Sequence, residues 1–108
     1  MPQWALCSCV LTAKYILGRE SETWGNARDI KPNSNSPVVG SLVILNEGYF
    51  GHIAILLNYS DKHITFEEGN WEFCKKTVRT LDISDPRILG YFMFGPGPFG
   101  SKQATKGQ

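Results

Sequence analysis

The chain has 108 residues and a mass of 12.1 kDa, with 42% hydrophobic and 19% charged residues and a formal net charge of +1. That length and composition describe one folded domain with a modest core and exclude wholesale disorder. Charges of both signs are mixed along the chain, so no basic face points to nucleic acid, and the longest apolar run is too short to cross a bilayer.

The first residues, "MPQWALC", lack a charged stretch followed by a long apolar one, so no signal peptide is expected. Work outside the host cell would then need another carrier, or a longer chain of which this is a part. Next, "CSCVLTAKYILG" places apolar residues at Cys9, Val10, Ala13, Ile16 and Leu17, a single helical stripe. Ser8 suits the N-cap and Gly18 the C′ position, which puts Cys9 at the first helical residue. The segment "RESETWGNARDIKPNSNSP" is polar and loop-like, with room for one short turn between Trp24 and Ile30.

From Pro37 onward the pattern becomes that of strands: "VVGSLVIL", "GHIAILLNY", "HITFEE", "KKTVRTLDI" and "RILGYFMF". The expected fold is α+β: an N-terminal helix packed by its stripe on an antiparallel, SH3-barrel-like sheet of about five strands, meander-like with tight links. Residues 1–94 form the expected domain. The tail 95–108, "GPGPFGSKQATKGQ", has no periodicity and is expected to be disordered.

Three cysteines, Cys7, Cys9 and Cys74, are an odd number and do not suggest a disulfide framework. Cys7 and Cys9 are too close in sequence for an unstrained bridge. A metal site is also disfavoured, because the cysteines and the two histidines, His52 and His63, lack ligand spacing. That leaves core packing or nucleophilic chemistry for Cys9. A thiol at a helix start meets unpaired N–H groups and the positive end of the macrodipole, and both favour the reactive thiolate. Cys7 is the competing position; the Ser8 cap and the stripe favour Cys9. Cys74 reads either as a packed strand cysteine or as a neighbour of the site.

A nucleophile needs a base, and His52 opens an apolar strand after a glycine. His63 lies just past a turn and reads as a surface residue. A base needs an orienting acceptor, and "HITFEEGNW" supplies Glu68 and Asn70 on one face at the end of the next strand, with Glu67 on the other. Trp24 and Trp71 read either as groove-lining or as packing aromatics. Tyr49 and Phe50, just before Gly51-His52, are candidates for a lip over the cleft.

In order along the chain, "CVLTAKYILG", "WGNARDI", "SPVVGSLVIL", "FGHIAILL" and "FEEGNW" resemble the papain-like cysteine hydrolases, and more closely the CHAP domains (cysteine, histidine-dependent amidohydrolase/peptidase, related to NlpC/P60). The likeness spans about Cys7 to Phe94. It departs at the nucleophile's flanks, where Ala5-Leu6-Cys7-Ser8 and Val10-Leu11 replace the usual Gly-Gln or Asn-Gln before it and the aromatic pair after it. The resemblance implies a papain-like core and hydrolysis of an amide bond in bacterial cell-wall peptidoglycan, either N-acetylmuramoyl–L-alanine or one in the stem peptide or cross-bridge. It implies action at the cell wall, as in phage endolysins, virion-associated lysins or wall-remodelling enzymes, alone or with other domains or subunits. Cys9 would attack, His52 would act as base and then acid, Glu68 or Asn70 would orient the imidazole, and backbone N–H at the helix start would meet the oxyanion. No metal or organic cofactor is implied. Two alternatives stay open: an idle CHAP fold serving as a structural or binding module of a phage particle, and a cysteine hydrolase acting on another amide.

Overall fold

The computed structural model describes residues 1–95. Two helices, α1 (Gln3–Leu6) and α2 (Cys9–Leu17), precede a 3-10 turn at Ala27–Asp29 and five strands. The strands are β1 (Leu42–Leu45), β2 (His52–Tyr59), β3 (His63–Gly69), β4 (Lys76–Asp82) and β5 (Ile88–Phe92). They form one antiparallel sheet in the order β4-β3-β2-β1-β5. The chain meanders from β1 to β4, and β5 then returns across the sheet to pair with the free edge of β1, which corrects the expectation of a simple meander. Tyr91 of β5 stands opposite Val43, a pairing that gives this chain-distant strand a buried aromatic anchor. The "VVGS" start of the first strand segment is a turn rather than strand, and pairing begins at Leu42. The tail expected to be disordered lies, beyond Gly95, outside the described residues.

Helix α2 begins and ends where capping chemistry dictates. The Ser8 side chain accepts from Leu11 N–H at 3.2 Å, and Gly18 takes a left-handed conformation at φ 68°. Its stripe packs on one face of the sheet: Val10 and Ala13 are buried with Leu42, Ile44, Ile53 and Ile55, with Cys9, Ile16 and Leu17 beside them. The opposite face buries Val43, Leu45, Ala54, Leu56, Ile64 and Phe66, and Leu81 of β4 and Ile88 of β5 pack against that cluster. The sheet is thus apolar on both faces, which is why β1 and the first half of β2 read as continuous apolar runs.

One close approach positions the helix start. Gly69, at the end of β3, lies against Thr12, and a Cβ there would run into the Thr12 side chain. Thr12 in turn donates to Ala5 O at 2.6 Å, tying α1 to α2. The start of α2 therefore sits against the end of β3.

The cysteines depart from expectation. Cys7 and Cys74 form a disulfide across 67 residues of sequence. Parity and the strained Cys7–Cys9 spacing argued against a bridge, but the distant partner is supplied by the fold. The α1–α2 junction packs beside the β3–β4 turn, where Gln3 Nε2 donates to Cys74 O at 3.0 Å. Cys74 lies in that turn, at φ 54°, rather than in a strand.

Candidate active site

The site is assembled by strand register. Ile55 of β2 faces Glu67 of β3, so Ala54 falls opposite Glu68, and His52 is two residues along on the same face. Such diagonal neighbours are within reach of long side chains. His52 Nε2 and Glu68 Oε1 are 2.7 Å apart, with the Glu68 side chain fully out of solvent and that of His52 nearly so. A carboxylate only accepts, so Nε2 carries the hydrogen. Nδ1 is then the nitrogen open to a proton from elsewhere. The same imidazole is hydrogen-bonded to Cys9, the free and half-buried thiol among the three cysteines.

These contacts set the charge on His52. Burial alone would lower its pKa, but the hydrogen bonds to Cys9 and Glu68 and the electrostatic attraction of these partners outweigh burial and raise it to about 9. Glu68 responds in the opposite sense. Burial would raise its pKa, but bonds from His52 and Arg79 and their positive charge hold it below the ordinary carboxylate value. The pair is therefore imidazolium and carboxylate over the neutral range.

Glu68 is satisfied on every side. Its Oε1 accepts from His52 and from Arg79 Nη2 at 2.9 Å, and its Oε2 accepts from Arg79 Nε at 2.7 Å and Thr77 Oγ1 at 3.0 Å. Thr77 and Arg79 escaped sequence reasoning. The signal was present in "KKTVRTLDI": period-two alternation puts Thr77, Arg79 and Leu81 on one face, and an arginine between inward positions calls for a buried partner. The register of the β3–β4 hairpin, which sequence left open, is what names Glu68 as that partner.

Cys9 and His52 line a cleft of about 390 Å³ with Asn26, Tyr49, Phe50, Asn70 and Trp71. That volume suits a small-molecule or extended-chain site. Tyr49 and Phe50 stand exposed on its rim, ring against ring at 4.9 Å, and the Arg28 guanidinium lies 4.9 Å from the Tyr49 ring. The loop holds its place because Arg28 N–H donates to Phe50 O at 2.8 Å and Gly51 adopts φ 76° within a space that a side chain would not share with the Arg28 backbone. Trp71 lies beside His52, with ring centroids 5.9 Å apart.

Two expected roles change. Asn70 lines the cleft, but its side-chain oxygen accepts from Cys74 N–H at 2.8 Å and shapes the turn at φ 63°, so Glu68, not Asn70, meets the imidazole. Trp24 is not in this cleft. It packs against Phe94 at 5.7 Å and donates to Glu22 at 2.9 Å, lining a separate aromatic recess with Phe92. The segment between α2 and the 3-10 turn sets Trp24 beside Phe92 of β5 and Phe94 instead of at the helix start. His63 is exposed, as its place after a turn suggested. The competing position Cys7 has its sulfur bonded to Cys74.

At the start of α2, the N–H groups of Cys9 and Val10 belong to the first turn and have no acceptor within the helix. They stand beside a thiol that meets a charged imidazole, which in turn is held by a buried carboxylate. This arrangement can form a covalent bond to an electrophilic carbon and shuttle one proton. No protein-family model, curated protein or solved structure matches the chain.

Proposed function

We propose that the protein is a cysteine hydrolase of the CHAP type, with a papain-like core, that cuts an amide bond of bacterial peptidoglycan. The single observation that carries this reading is the chain of contacts from a free thiol at a helix start, through an imidazole, to a buried carboxylate.

In that chemistry the Cys9 sulfur attacks the amide carbonyl carbon while His52 holds the thiol proton. The oxyanion is met by first-turn N–H groups at Cys9 and Val10. The tetrahedral intermediate collapses to a thioester as His52 gives its proton to the leaving amine. Water then adds to the thioester with His52 as base, releasing the carboxylate product and restoring the thiol. Glu68 keeps the ring turned so that Nδ1 faces sulfur. The exposed aromatics Tyr49 and Phe50, with Trp71, offer flat surfaces for sugar rings and planar amides along the cleft.

The Cys7–Cys74 bridge supports a site of action outside the reducing cytosol, because such bonds persist in oxidising compartments. The test is digestion of purified peptidoglycan followed by mass analysis of the soluble fragments. New amino groups on L-alanine identify the amidase reaction, and those on later stem or bridge residues identify an endopeptidase. Intact muropeptides in the presence of folded protein refute the reading.

A further inference from the structure

Arg79 ties two carboxylates together beside the cleft. Its β4 register places it across from Phe66 and diagonal to Glu68. Its fork donates to both oxygens of Glu68, at 2.7 and 2.9 Å, and to both oxygens of Glu47, at 3.2 and 2.7 Å. Trp71 covers the guanidinium from the cleft side at 3.6 Å, and the Phe66 ring lies 5.1 Å away in the core. Planar, bidentate and stacked on an aromatic ring, this is a site that lysine does not reproduce.

We propose that Arg79 is a positioning residue of the candidate active site: by gripping both oxygens of Glu68 it fixes that carboxylate toward His52, and through it fixes the imidazole that faces Cys9. The catalytic meaning of this inference rests on the hydrolytic reading above. The geometry leaves few other ways to keep Glu68 in place. Its side chain is fully buried and cannot recruit bulk water, so loss of two charge-assisted bonds would leave it to take up a proton or rotate. A protonated Glu68 no longer attracts a proton to His52. The groups in play are Cys9 of α2 and Glu68 of β3 facing His52, Thr77 and Arg79 of β4 facing Glu68, and Glu47 of the β1–β2 loop facing Arg79, with half-exposed Arg87 at 3.1 Å on its far side. Of these, the second cation on Glu68 is His52 itself, so the two cations share one carboxylate. Trp71 covers the guanidinium and stands beside the imidazole, tilted 57° to it, at the wall of the cleft.

The test reads His52 directly and needs no substrate. The full chain has two histidines, so a His63→Gln variant assigns the imidazole signals in an NMR titration. The unaltered protein is expected to show a His52 midpoint of about 9. In Arg79→Met, Glu68 is free to turn off the ring: the hydrogen-bonded Nε2–H signal of His52 is lost to exchange with water, although removal of a like charge by itself favours the imidazolium, and alkylation of Cys9 by iodoacetamide at neutral pH slows about tenfold. Arg79→Lys, which keeps charge and stem but not the fork, falls between. In a Glu68→Gln background, Arg79→Met causes no further slowing of Cys9 alkylation. A folded Met or Lys variant that keeps the Nε2–H signal and alkylates Cys9 at the original rate overturns the proposal. So does failure of both variants to fold, which would make Arg79 an anchor of the fold instead. Absence of wall cleavage by the unaltered protein, with the Nε2–H signal and the alkylation behaving as described, would refute the proposed function and leave the Arg79–Glu68–His52 coupling standing.

Discussion

Glu68 Oε1 lies 2.7 Å from His52 Nε2, and neither side chain has appreciable contact with solvent. A carboxylate in that position decides which nitrogen of the ring carries hydrogen and which one is left for Cys9. Replacing it by an amide keeps the shape but not the charge. Glu68→Gln is therefore expected to lower kcat/KM by about 10²–10⁴-fold, the range of general acid–base contributions, with a smaller loss in affinity for the wall. Steady-state kinetics on a soluble muropeptide check this. Asn70→Ala, by contrast, loses a turn contact to Cys74 rather than a contact to the ring, and its effect is expected in stability first.

The pH dependence follows from the same pair. His52 is raised from 6.5 to about 9 in the folded chain, so the stability it contributes is fully present below pH 6.5 and is lost as pH rises through about 9. Glu68 is depressed below 4.5, so its contribution is present above that value and is lost as pH falls through its folded pKa. Thermal unfolding is expected to show its plateau between these limits, with the acid-side loss reduced in Glu68→Gln. Activity is expected to fall on the alkaline side near pH 9, where the imidazolium loses its proton. An alkaline limb near 6.5 would contradict the assignment.

The bridge from Cys7 to Cys74 closes a long loop over the start of α2 and the β3–β4 turn. Thiol titration of the unreduced, denatured chain is expected to find one free group, and three after reduction. The Cys7→Ser/Cys74→Ser protein is expected to lose about 2–5 kcal/mol of stability in urea unfolding. Its activity is expected to persist at temperatures where it remains folded, because Cys9 is outside the bridge.

Gly69 tests the packing that sets the helix start. A methyl group there meets the Thr12 side chain, one turn along α2 from Cys9. Gly69→Ala is expected to cost about 1–3 kcal/mol by overpacking, measured by urea unfolding, and to slow Cys9 alkylation by displacing the helix start from His52. Unchanged stability and unchanged Cys9 alkylation would contradict this account of the helix start.

Local chemistry was legible in the sequence and long-range pairing was not. The Ser8 cap, the Gly18 terminus and the stripe of α2 are short-range signals, and each appears where expected. So do the five strand segments, apart from the turn at the start of β1. The return of β5 to β1, the pairing of Cys7 with Cys74 and the fork of Arg79 on Glu68 all join residues far apart in sequence or depend on hairpin register. Composition and periodicity are silent on those. Trp24 shows the same limit: its residue type suits a groove, but the path of the chain puts it in a separate recess against Phe94.

On the proposed reading, the Cys9 sulfur carries the cleavage of a wall amide. Amino groups released from purified peptidoglycan, counted for the original chain and for Cys9→Ser, test it most directly. Release by the original chain and a loss of about a thousandfold or more in the serine variant, with both equally folded, is the predicted result. Equal release by the two proteins, or none by either, would contradict it.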